Sequence, residues 1–182
     1  MKSLLLTIGI GFFFQTALAQ DESSYSNNYK LRQDRKVGVG VGVGGPLGAV
    51  GGLVELNIEE ENAALAGFGA GSGYQTMLLA WKRSFEGEYF TPYTTVGYSH
   101  WWSAGQRSDV GRSALLKNFL TDRERAENQF GLNLATGALG MQFNQLAGEM
   151  AGSSFYIEFG GLFAIDRGEL MPTGSVGAFY YF

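Results

Sequence analysis

Gly174-Ser-Val-Gly-Ala-Phe-Tyr-Tyr-Phe182, at the carboxy terminus, alternates with period two. Val176, Ala178, Tyr180 and Phe182 share one face; Ser175, Gly177, Phe179 and Tyr181 share the other. Such alternation sets one face against an apolar medium and turns the other toward a closed interior. The chain stops on an aromatic residue with no charge after it, where a soluble domain would usually carry a polar, frayed tail. Left as a free edge, an apolar strand of this kind invites aggregation. Paired with the first strand, it would close a barrel. The bland reading is an ordinary buried C-terminal strand.

Working back from this strand, seven more candidates appear. Lys36 to Gly44 alternates Val37, Val39, Val41 and Val43 with glycines, and Gly44-Gly-Pro-Leu-Gly48 has turn chemistry. In a soluble sheet that glycine face would be a void; in a small barrel it leaves room for side chains from the far wall. Ala49 to Ile58 sets Val50, Val54, Leu56 and Ile58 against Leu53, Glu55 and Asn57. Ala63 to Gly71 and Tyr74 to Phe85 follow, the latter with Met77, Leu79 and Trp81 opposite Thr76, Leu78, Ala80 and Lys82. Phe90 to Trp102 places His100 and Trp102 on one face and Tyr93 and Trp101 on the other. After a long polar loop, Ser103 to Asn128, comes Gln129 to Phe143. Its early outward set, Phe130, Leu132 and Leu134, changes phase to Leu139, Met141 and Phe143, which predicts a bulge near Gly137. Phe155 to Ile165 completes the set.

The rest of the chain bounds the class. Met1-Lys2-Ser3, the apolar run Leu4 to Phe14 and Ala17-Leu18-Ala19 read as a secretory signal peptide over residues 1–19, too short to span a membrane as a helix. Residues 20–35 are polar and aperiodic, and read as a flexible lead-in. There is no cysteine, which excludes a disulfide framework and thiol chemistry. The net charge of −4 argues against a nucleic-acid partner. With 28 glycines and 14% aromatic residues, the composition suits a narrow barrel better than a soluble sandwich.

The signal peptide, the eight alternating segments over residues 36–182 and the terminal Phe resemble the small OmpA/OmpX-type outer-membrane barrels. The resemblance implies an all-β fold: an eight-stranded antiparallel up-and-down transmembrane barrel in the bacterial outer membrane, with both termini periplasmic. Phe182, Tyr180, Ala178 and Val176 match the terminal tag that the barrel-insertion machinery reads in that family. Turns at Glu59, Glu86 and Asn144 then face the periplasm, and connections at Gly44, Gly71, Ser103 and Asp166 face outward. An even strand count and a long third outer loop agree with that topology. Trp81, Phe85, Phe90, Trp101 and Trp102, with Phe130 and Phe163, fall where interface aromatics belong. Outer-membrane lipids and lipopolysaccharide are the expected surroundings, and a monomer the expected state.

Few features carry chemistry. Gly40-Val-Gly-Val-Gly-Gly45 fits G-x-G-x-x-G, but Pro46 and a strand follow where a dinucleotide site needs a helix, so no cofactor is expected. His100, the one histidine, faces lipid by parity. Barrel-type lipid A deacylases carry Ser two residues after their His; here Trp102 stands there, and Ser99 and Ser103 are out of phase. A base without a nucleophile cannot perform acyl transfer, so an interface-anchoring His is the better reading and no catalytic or metal site is assigned. Glu55, Lys82 and Glu158 point inward, and desolvated charges in a narrow lumen must pair. Asn57, Asn133, Tyr93 and Tyr156 could complete a polar plug with them. In the long loop, Leu115 with Phe119 and Leu116 with Leu120 are i,i+4 pairs, suited to a short helix that caps the mouth, lies on lipid or binds a partner. The function expected is a structural or surface-interaction barrel with a sealed polar lumen. A narrow pore for ions or small solutes is the alternative, and a lipid A-modifying enzyme a more distant one.

Overall fold

The computed structural model describes residues 24–104, 116, 119–127 and 129–182. Among them, eight strands run in order: β1 (Val37–Gly44), β2 (Val50–Asn57), β3 (Asn62–Gly71), β4 (Tyr74–Ser84), β5 (Phe90–Ser103), β6 (Gly131–Asn144), β7 (Ser153–Ala164) and β8 (Glu169–Tyr181). Each pairs antiparallel with the next, and β8 returns to β1 from Gly38↔Tyr181 to Gly44↔Ser175, closing the barrel. Two short helices, α1 (Asn28–Asp34) and α2 (Asp122–Glu127), and one 3₁₀ turn (Gly45–Leu47) are added to it.

Period two decides which side chains meet outside the barrel. Val39, Val41, Phe68, Val96, Phe159 and Val176 are among a belt of exposed apolar residues that girdles the molecule. Inside, glycine makes the diameter workable. A Cβ on Gly38 would stand 2.6 Å from the Tyr181 ring, and one on Gly40 would stand 2.6 Å from that of Phe179. The aromatic residues of β8 therefore lie across the bare backbone of β1, and the two faces interlock as large against none.

Three sequence expectations change. First, β6 keeps one phase: pairing with β5 and β7 runs unbroken through Gly137, so there is no bulge there. Leu132 and Leu134 point inward and Asn133 outward, the reverse of the expectation. Second, residues 28–34 of the lead-in form a helix with Leu31, Arg32 and Asn28 buried. Asn27 caps it by accepting from the Lys30 N–H, which satisfies one of the orphan donors of its first turn. Third, the helix of the long loop lies over Asp122–Glu127, later than Leu116, Phe119 and Leu120. Those three form a hydrogen-bonded turn, Leu116 O accepting from the N–H of Phe119 and of Leu120 at 3.0 Å each. Leu115 lies outside the described residues.

Candidate functional site: a filled lumen

The lumen is stopped at the end that carries the termini, braced in the middle and capped at the far end. At the terminal end, α1 lies across the mouth. Asn28 Nδ2 donates to Phe85 O at 3.1 Å, and its Oδ1 accepts from Gly87 N at 2.9 Å. Arg35, just after α1, donates from Nη1 to Tyr181 O at 2.6 Å and from Nε to Tyr25 Oη at 3.0 Å. Asn57 Nδ2 donates to Arg35 O at 2.9 Å. Helix and barrel are thus joined through backbone groups of β8 and the β4–β5 turn, so α1 docks in one register.

Arg32 carries the plug inward. Its guanidinium bonds Ser84 and reaches Glu55 at 3.3 Å, while Lys82 Nζ holds the other Glu55 oxygen at 2.8 Å. Glu55 has no exposed surface. A lone carboxylate there would be very costly, and two cations around it supply the compensation that burial demands. The Arg32 contact is an ion pair without hydrogen-bond geometry, and Arg32 Nη2 and Glu55 Oε1 are both without a hydrogen-bond partner. Lys82 also donates to Gln142, whose amide serves Asn144 at 2.9 Å, and Ser154 and Tyr181 at 3.0 Å. Above this layer the Lys82 ammonium sits 4.6 Å from the Tyr93 ring centre. Tyr93 Oη donates to Glu158 at 3.1 Å and Ser175 Oγ donates to it at 2.7 Å.

Next comes a layer of Leu53, Leu65, Leu78, Tyr156 and Phe179, closed by a loop that the sequence marked only as a turn. Gly44, Gly45 and Gly48 adopt φ of 83°, 65° and 79°, and this folds Pro46 and Leu47 back into the barrel. Leu47 is 2% exposed. Pro46 O accepts from Ser99 Oγ at 2.9 Å and Trp101 Nε1 at 3.1 Å, and Leu47 O accepts from Thr76 Oγ1 at 3.0 Å. Between Pro46, Tyr93 and Glu158 a cavity of about 30 Å³ is left, room for a water or two and not for a solute. At the far end, Tyr74 stacks on Trp101 at 5.1 Å, and Leu116, Phe119 and Leu120 pack over them with Leu132 and Leu134.

Of the seven residues expected in the luminal network, Glu55, Lys82, Asn57, Tyr93, Tyr156 and Glu158 face the lumen. Asn133 does not; it stands on the outer surface with Tyr98, His100 and Asp166. Arg32, Gln142 and Tyr181 are luminal partners that sequence reasoning missed. Inward parity could have found Gln142 and Tyr181, whereas Arg32 enters from outside any strand. Trp81, Phe85 and Phe90 are exposed and Trp102 half-buried, but Trp101 is completely enclosed and Phe130 nearly so. Neither of these two is an interface aromatic, because the far end of the lumen is apolar and takes rings inward. Val176 and Phe182 of the terminal strand are exposed outward.

No protein-family model matches this sequence, and no curated protein sequence matches it. Among solved structures the chain is similar to the N-terminal β-barrel domain of Pseudomonas aeruginosa OprF, with a TM-score of 0.57. The match covers 80% of this chain and 96% of that one at 14% identity. The likeness is one of fold, a small closed antiparallel barrel of the OmpA type.

Proposed function

We propose that this chain is an integral outer-membrane β-barrel with a sealed lumen and a structural or surface-interaction role. The observation that carries the proposal is the inversion of sides. Exposed residues include Val41 at 64%, Phe68 at 66%, Leu139 at 68% and Phe159 at 67%, while Glu55 and Lys82 are enclosed. In water such an exterior would aggregate; in a bilayer it is the solvent-matched face of a closed sheet, with every strand paired. Strands of 8 to 14 residues bracket the length a tilted spanning strand needs. The OprF barrel likeness supports the same location. In this setting α1 closes the periplasmic mouth and Leu116, Phe119 and Leu120 the external one, and the terminal strand presents Val176, Ala178, Tyr180 and Phe182 to the insertion machinery.

Membrane fractionation with a heat-dependent shift on a denaturing gel tests the location. A protein that stays soluble without detergent refutes it. The narrow pore is favoured by one observation, the run of Arg32, Glu55, Lys82 and Glu158 along the lumen, and single-channel recording separates the two. The sealed barrel gives no steps above baseline. We assign no catalytic role: among the described residues no serine hydroxyl is bonded to His100, and Ser99 is turned inward onto Pro46 O and Met77 O. A His100→Ala strain is expected to keep its lipid A acylation pattern.

A further inference from the structure

On the outward face of β5 and β6, near the far rim, Tyr98, His100 and Asn133 interrupt the apolar belt, joined by Asp166 from the turn after β7. Asn133 Nδ2 donates to Asp166 Oδ2 at 2.8 Å. A carboxylate only accepts, so this bond fixes which end of the Asn133 amide faces which way. Its oxygen then accepts from Tyr98 Oη and stands 3.0 Å from His100 Nδ1. His100 must therefore carry its proton on Nδ1. In the neutral ring Nε2 is then an acceptor, and Asp166, exposed on the rim, keeps a second carboxylate oxygen. Beside them the His100 ring lies nearly parallel to Trp102, 5.5 Å between centres and 20° between planes. Immediately below, toward mid-barrel, the surface hollows into a groove of about 680 Å³ between Phe163 and Leu170. Its floor is Ala135, Gly137, Gly161 and Pro172. Ala135 is two residues from Asn133 on the same face, so cluster and groove are continuous.

An ionisable or hydrogen-bonding group on a lipid-facing wall is costly unless something answers it. We propose that this surface is a binding site for the saccharide headgroup of an outer-leaflet glycolipid, with one acyl chain in the groove below. The reading rests on the membrane location proposed above. Sugar hydroxyls are donors that match these acceptors, and the outer face of the His100–Trp102 stack is a surface for the C–H face of a pyranose. Asp166 repels phosphate, so the contact is made through the sugar hydroxyls of such a lipid and its phosphates lie away from the carboxylate. Among the described residues, the nearest basic group on that rim, Arg167, is turned to Glu124.

The sole histidine makes the test direct. Protein carrying ¹³C,¹⁵N-histidine is reconstituted in phosphatidylcholine nanodiscs, and the His100 ring resonances are followed as purified lipid A, phosphatidylethanolamine or phosphatidylglycerol is added. The expected result is a saturable shift with lipid A alone. Asp166→Ala weakens the midpoint about tenfold or more, the loss expected for a charge-assisted hydrogen bond. Gly137→Trp, which fills the groove from a position paired with Val96 and Gly161, away from the cluster, weakens it as well. Both variants are first shown to insert by their heat-dependent gel shift. An inserted protein whose His100 ignores lipid A overturns the proposal, as does an equal response to all three lipids. A response to phosphatidylethanolamine alone overturns it in favour of an ammonium site. Failure of the native chain to insert refutes the membrane reading itself.

Discussion

Lys82→Met isolates the buried charge triad. The substitution keeps the length of the stem and removes the ammonium, deleting the 2.8 Å contact to Glu55 and the bond to Gln142. Breaking a buried pair by removing one partner costs about 3–5 kcal/mol, most of it from the charge left behind. Here Arg32 remains 3.3 Å from the other Glu55 oxygen, so the loss should lie at the low end, about 3 kcal/mol. Glu55→Gln leaves two cations facing each other and should cost at least as much. In the double variant the Glu55 carboxylate and the Lys82 ammonium are both gone and only Arg32 is left without its partner, so its loss should fall short of the sum of the singles by about 2 kcal/mol. The assay is reversible urea unfolding of the protein refolded into lipid vesicles, followed by tryptophan emission and a gel shift, with the m-value held fixed as a check that the end states are unchanged. If Lys82→Met stays within about 1 kcal/mol of the native chain, or the two substitutions add, the triad is not the buried network described.

Arg32→Ala should cost about 2 kcal/mol and speed amide exchange in α1 while leaving the strands protected, which hydrogen–deuterium exchange will show. Gly48→Ala and Gly148→Ala form a matched pair, since both glycines have φ of 79°. A Cβ at Gly48 would stand 2.8 Å from the Tyr74 ring, whereas at Gly148 nothing lies within 4 Å. The second variant should lose only the backbone penalty, about 1–2 kcal/mol, and the first clearly more, as read by urea midpoints. Glu124 has its carboxyl pKa lowered: burial acts to raise it, but the Thr121 N–H and hydroxyl and the Arg167 guanidinium outweigh that. A depressed pKa contributes stability that is present above the ordinary carboxylate value and lost as pH falls through the lowered one. The amide resonances of residues 121–124 should therefore move below about pH 4, and Glu124→Gln should flatten that profile.

Parity made most of the barrel legible. Glu55, Lys82 and Glu158 could be placed inside because period two and the identity of their neighbours agree over whole strands. Leu132, Leu134, Phe130 and Trp101 were misplaced by one assumption, that large apolar residues point out of the barrel. It holds where the lumen is polar and fails at the far end, where Leu116, Phe119 and Leu120 make the interior greasy. Taking the wrong phase there forced a bulge at Gly137 that β6 does not have, and carried Asn133 to the wrong side. α1 was illegible for a different reason. NYKLRQD has no apolar stripe, so its helix depends on the Asn27 cap and on contacts with residues far along the chain. Nor could the inward fold of Pro46 and Leu47 be read from the glycines alone. A turn signal says that the chain reverses, not to which side.

The seam between β1 and β8 joins the two extremes of the folded chain, and Gly38 finds Tyr181 only after everything between them has been threaded. Bringing such distant segments together carries a large entropic toll, and β1 offers its neighbour valines on one side and bare backbone on the other. Arg35, gripping Tyr181 O and lying 5.8 Å from the Tyr180 ring centre, acts as a buckle at this joint. The last stage of assembly should accordingly be an open, curled ribbon waiting for one late clasp, and a weakened buckle would lengthen that wait before it altered the finished shape.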